Sequence, residues 1–135
     1  MLYPDLMHRL GLELNLAGFG PDEEGACAIQ RDGLKVSFYA DPDDAFTAIC
    51  PLGRIDLDDL ECQQALLRAN LFADGVGGHA IGIDSEGGAY LTQPFYAPEL
   101  GFAEFLAALE RFVAVATHWP KTLAEAQPAL ADTMC

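Results

Sequence analysis

Ala26-Cys27-Ala28-Ile29-Gln30, then Arg31-Asp32-Gly33, then Leu34-Lys35-Val36-Ser37-Phe38-Tyr39 is the passage from which the architecture can be read. Leu34, Val36 and Phe38 fall on one side and Lys35, Ser37 and Tyr39 on the other. A period of two belongs to a strand whose two faces meet different surroundings. Asp32-Gly33, between the two runs, supplies the positive φ that a tight hairpin turn demands. Asp41-Pro42-Asp43-Asp44 makes the next turn, and Ala45 to Leu52 forms a third strand.

On the N-terminal side of this meander, Leu2, Leu6, Leu10 and Leu14 recur every fourth residue with Met7 on the adjoining row. That is a helical stripe, with Pro4 and Asp5 suited to a first turn and Gly18 to a stop. Leu12 and Leu16 widen it, so this helix can serve the core and a partner together. On the C-terminal side, Asp56-Leu57-Asp58-Asp59 opens a second helix, because carboxylates cap free N–H groups and complement the helix dipole. Leu60, Leu67 and Leu71 form its stripe, with Ala65, Leu66 and Phe72 beside it, and a Gly-rich loop from Ala73 to Gly78 ends it. A second hairpin follows, His79 to Asp84 and Ala89 to Gln93, with Pro94 and Pro98 flanking its exit. Phe102, Phe105, Leu106, Leu109, Phe112, Val113 and Ala116 then mark the last helix, which Trp119-Pro120 is expected to close. The order αβββαββα predicts an α+β fold with an antiparallel sheet, since the turns within each strand group are too short for parallel crossovers.

With 135 residues the chain is read as one domain, large enough to fold without a disulfide or metal staple. Residues 1–120 are expected to form it, with 121–135 a loosely held tail containing Ala and Pro. Seven Lys and Arg against 21 Asp and Glu give a formal charge of −14. Such a field repels phosphate backbones and anionic lipid, so nucleic-acid binding and membrane attachment are not expected. Half of the residues are nevertheless hydrophobic (51%). That pairing suits a soluble protein that keeps an apolar surface open, because net charge opposes aggregation. No apolar stretch reaches the roughly 18 residues of a membrane span. Met1 to Arg9 lacks the basic-then-apolar form of a signal peptide, which makes the cytoplasm the expected compartment.

Catalytic and metal motifs fail on inspection. Cys27, Cys50, Cys62 and Cys135 contain no CxxC pair, and His8, His79 and His118 are far apart. Both Asp clusters start like calcium loops, but Ala45 and Leu60 stand at their third ligand positions. Gly75-Val76-Gly77-Gly78 follows a helix and precedes a strand, the reverse of a phosphate cradle. Ser37 and Ser85 lie in no nucleophile-elbow context. No enzyme activity, cofactor or metal is expected.

Leu66-Leu67-Arg68-Ala69-Asn70-Leu71, a Gly-rich loop, Ile81-Gly82-Ile83-Asp84, Tyr90-Leu91-Thr92-Gln93, and then Phe105, Leu109, Phe112, Val113 and Trp119 resemble the class I type III secretion chaperones, the Tir-chaperone (CesT-like) family. The resemblance covers roughly residues 1 to 120. It implies a cytoplasmic bacterial homodimer that binds the N-terminal segment of a secreted effector in extended form, keeps it soluble, and presents it to the secretion apparatus, commonly its ATPase. By the family pattern, Leu60, Leu67, Leu71 and Phe72 are expected at the dimer interface. The expected effector groove comprises Leu6, Leu10 and Leu14 of the first helix with Phe38, Phe46 and Ile49 of the sheet. Each of these residues has core packing as its alternative. Two other functional readings stay open: a partner-switching regulator of secretion genes on the same fold, and a small metabolite-binding or enzymatic α+β domain.

Overall fold

The computed structural model describes residues 1–72 and 79–126. Helix α1 (Tyr3–Glu13) precedes strands β1 (Ala26–Arg31), β2 (Leu34–Ala40) and β3 (Ala45–Arg54). Helix α2 (Leu60–Phe72), strands β4 (Ala80–Ile83) and β5 (Gly88–Tyr96), a 3-10 turn (Ala97–Glu99) and helix α3 (Phe102–Ala126) complete the chain. The strands form one five-stranded antiparallel sheet in the order β1-β2-β3-β5-β4. The expected α+β class and element order are both present.

Local chemistry accounts for the elements. Asp32 and Gly33 take φ of 51° and 80° in the first hairpin turn, so the Asp-Gly signal reads true. The Cys62 N–H donates to Asp59 Oδ1 at 3.1 Å, which places Asp59 as the cap of α2. Strand β3 alternates, burying Phe46, Ala48, Cys50 and Leu52 beneath the helices and turning Thr47, Ile49 and Pro51 to the other face. Phe46 is the hub of an aromatic cluster, with Tyr3 at 4.9 Å, Phe95 at 5.0 Å and Phe105 at 5.7 Å between ring centroids. Leu6, Met7 and Leu10 of α1 and Phe105, Leu109 and Phe112 of α3 close over it. One face of the sheet is thus covered and the other is open.

Four boundaries differ from expectation: α1 ends at Glu13 rather than near Gly18, and the other three lie beside a proline. Strand β3 runs past Leu52 to Arg54, and Pro51 is accommodated because the β2–β3 ladder has already ended at Ser37–Ile49. A bulge follows at once, between Pro51 and Gly53, where Gly53 takes φ 129°. Strand β5 runs through Pro94 to Tyr96, and β4 pairs with it only as far as Thr92, so Pro94 removes no N–H needed by that neighbour. Helix α3 does not close at Trp119-Pro120 but continues to Ala126. Proline's fixed φ is helical, so the chain can continue through it at the cost of one backbone bond and of crowding between its ring and the carbonyl of the preceding turn. The buried row Phe105, Leu109, Phe112, Ala116 and Trp119 holds the helix on the sheet ahead of that point. The expected tail is therefore helical at its start, and 127–135 lie outside the described residues.

Candidate partner-binding edge and groove

Strand β1 is one edge of the sheet. The Ala40 N–H donates to the Gly25 carbonyl at 3.0 Å, which fixes the alternation along the ladder. Cys27, Ile29 and Arg31 point their backbone groups at β2, while Ala26, Ala28 and Gln30 point theirs away. Ala26 is satisfied internally: its N–H donates to Asp22 Oδ1 at 3.0 Å and its carbonyl accepts from the Asp22 N–H at 2.9 Å. Ala28 and Gln30 are exposed, and among the described residues nothing pairs with their outward N–H and C=O groups. An edge strand in this state is a template for an added strand.

An apolar groove runs beside that edge, walled by Leu14, Leu16 and Phe19 and floored by Ala28 and Ile29. Its wall is built by the end of α1. The Leu16 N–H donates to the Gly11 carbonyl at 2.8 Å and the Asn15 N–H to Leu12 at 3.3 Å, with Asn15 left-handed at φ 58°. This is a Schellman ending, in which asparagine takes the place usually given to glycine. It turns the chain so that Phe19 lies on Gly11, where any Cβ would stand 2.8 Å from the Phe19 Cβ. Tyr3 ties the start of β1 to α1, its hydroxyl donating to the Gly25 carbonyl at 2.8 Å, and burial pushes its ionisation upward.

The opposite edge, β4, is closed differently. The Asn70 side chain donates to the Ile81 carbonyl at 2.9 Å and accepts from the Ile81 N–H at 2.8 Å, so its amide stands in for a strand's peptide group. Asn70 thereby fixes α2 against the edge. The helix buries Cys62 and Leu66 and leaves Leu60 and Leu67 67% and 69% exposed. Those two residues are a full two turns apart and share a face. The side chains of Leu71 and Phe72, also expected at an interface, lie outside the described residues, as does the Gly75–Gly78 loop.

The open face of the sheet carries a shallow concavity of about 560 Å³ bordered by Tyr39, Ile49, Pro51, Ile83 and Tyr90. At its rim Asp84 accepts from the Glu86 and Gly88 N–H groups and from the Tyr90 hydroxyl at 3.0 Å. The backbone bonds hold its carboxyl below the usual range, and the same pairing raises the Tyr90 phenol.

The expected groove residues divide between inside and outside. Leu6, Leu10, Phe38 and Phe46 have no exposed surface. They are core, because the covered face of the sheet and the inner face of α1 are the same interior. Leu14 lines the groove beside β1, and Ile49 lies on the open face, so the structure does not bring the six together. Phe19, Ala28 and Gln30, which line the groove beside the free edge, were not among the expected residues. Their signal is the identity of the edge strand, which no local pattern contains.

Among the described residues, His79 is the buried polar residue of the interior. It is 7% exposed, stacks edge-on to Phe112 at 5.3 Å, and neither ring nitrogen has a hydrogen-bond partner among the described residues. Burial, with Arg111 adding, lowers its pKa. The unfolded chain therefore binds this proton more readily, so stability rises with pH through the range below about 6.5 and is lost on acidification. Thermal melts from pH 7.5 down to 5.5 are expected to show a falling Tm, and His79→Phe to flatten that slope. An unchanged slope in the variant would assign the pH dependence to other groups.

No curated protein matches the chain in sequence. In structure it is similar to a chain of the ExsC–ExsE complex, with a TM-score of 0.75 and 19% identity over 89% of this chain and 92% of that one. It is also similar to the Yersinia pestis type III secretion chaperone SycH in complex with a stable fragment of YscM2, with a TM-score of 0.70 and 19% identity over 87% and 98%. The ExoT–SpcS complex from Pseudomonas aeruginosa gives a TM-score of 0.64 and 26% identity over 87% and 96%. The profile of the Tir chaperone protein (CesT) family matches residues 5–120, and the chain belongs to that family.

Proposed function

We propose that this chaperone binds the N-terminal segment of a type III secreted effector in extended form, in the cytoplasm of a bacterium, and holds it soluble for delivery to the secretion apparatus. The observation that carries the reading is the free edge of β1 at Ala28 and Gln30 beside the apolar wall of Leu14, Leu16 and Phe19. Strand addition there gives affinity through the main chain of the client, and the groove accepts alternate apolar side chains. The formal charge of −14 keeps such a surface in solution between clients. We further propose a homodimer through the exposed face of α2, Leu60 and Leu67, with residues 1–120 as the functional unit and the secretion ATPase as the receiving partner. The complexes solved for SycH and for ExoT–SpcS support a client-binding role for this fold.

Ala28→Pro tests the edge. Its outward N–H is spent on no internal bond, so proline removes a docking donor without breaking the β1–β2 ladder. After co-expression with the effectors of the same cell, wild type is expected to protect an N-terminal stretch of one of them from protease. Ala28→Pro is expected to lose that protection at unchanged Tm. Protection that survives the substitution would remove β1 from the binding site.

A further inference from the structure

The slot at β1 has unlike charges at its two ends, and resting on the proposed client-docking reading, we infer that this polarity selects the sequence of the docked strand: an acidic residue first, then alternating apolar residues, then a basic one. At the C-terminal end of β1, Arg31 lines the groove and is the only charged residue to do so among the described residues. It is exposed, and its side chain makes no hydrogen bond or ion pair among the described residues. Asp32 and Glu110 line the neighbouring cleft between α1 and α3 together with Arg31, but not the groove itself. At the N-terminal end stand Asp22, Glu23 and Glu24, all exposed. Asp22 is tied to this end by its bonds with Ala26, and its Oδ1 also accepts from the Glu24 N–H at 2.9 Å.

Both ends also stop the ladder. Asp22 already occupies the outward groups of Ala26, and the turn at Asp32-Gly33 ends β1 beyond Arg31. Only Ala28 and Gln30 remain to pair, so register is confined and the flanking residues of the client fall beside the two charged ends. Every pairing in this sheet is antiparallel, and antiparallel addition is the more stable kind. The N-terminal end of the client strand then lies at Arg31 and its C-terminal end at Asp22, Glu23 and Glu24. A carboxylate is favoured at the first position and an ammonium or guanidinium at the last. A client of an acidic protein would otherwise be expected to be basic throughout.

Two blocked, fluorescein-labelled peptides of identical composition provide the test: Glu-Glu-Thr-Val-Thr-Val-Thr-Lys-Lys, and the same peptide with Glu and Lys exchanged. Fluorescence anisotropy gives affinity, and the backbone amide NMR signals of Ala28 and Gln30 report where each binds. The acid-first peptide is expected to bind about fivefold more tightly at low salt, as a small set of exposed ion pairs allows, with the gap closing near ~1 M salt. Arg31→Glu is expected to abolish or reverse the preference while Ala28 and Gln30 still respond. Equal affinities, a base-first preference, or a preference unaffected by Arg31→Glu would overturn the inference and leave the docking edge standing. No response of Ala28 and Gln30 to either peptide would overturn the docking edge and the inference together.

Discussion

Leu10→Asp is expected to abolish cooperative folding, with no folded protein detectable by near-UV circular dichroism or by a thermal transition at neutral pH. Leu10 has no exposed surface, and it sits in the interior with Leu6, Met7 and the aromatic cluster around Phe46. Replacing it removes about 2–3 kcal/mol of apolar burial. It also forces a carboxylate into a site with no partner, or requires that carboxylate to stay protonated several units above its usual pKa. The two losses together rival the roughly 5–15 kcal/mol that holds a domain of this size. A folded Leu10→Asp protein would show that α1 can rotate its stripe outward, and would restore Leu10 to the groove where the sequence reading expected it.

Leu67→Asp is expected to leave the protomer folded and to dissociate the dimer that we propose. Leu67 is 69% exposed, so the isolated fold gains little from it, and surface changes of this kind usually stay within about ±0.5 kcal/mol. In a self-complementary contact the substitution enters twice, placing two uncompensated charges near the axis. Light scattering after gel filtration is expected to move from dimer mass to protomer mass over the micromolar range, with the far-UV spectrum unchanged. Leu66→Asp, one residue away but 2% exposed, should instead unfold the chain, which separates interface from core on the same helix. A Leu67→Asp protein that remains a dimer would remove this face of α2 from the contact.

How much of this was legible in the sequence follows from which effects are local. Alternation along β2 and β3, the Asp32-Gly33 turn and the Asp59 cap are decided by neighbours a few residues apart, and each reads correctly. The division of the N-terminal leucines is not of that kind. Leu6, Leu10 and Leu14 share one period-four stripe, yet α1 ends at Glu13 and its Schellman turn carries Leu14 out to the groove. The signal for that turn was present in Asn15, but its effect depends on Phe19 folding back over Gly11. The free edge was hidden for a stronger reason. Strand order is a property of the whole sheet, and only that order makes β1 an edge and leaves Pro51 and Pro94 without broken ladders.

The internal tie between Asp22 and Ala26 bears on how the protein avoids amyloid-like growth. A bare, flat edge invites copies to stack strand on strand, and each added layer then templates the next. Here the chain has closed one end of β1 with its own carboxylate and ended the other in a two-residue turn. The opposite margin of the sheet is filled by the Asn70 amide at Ile81. What remains is too short to propagate a fibril, yet long enough to clasp a short guest strand, so the residues that we propose admit a client also deny the sheet a way to polymerise.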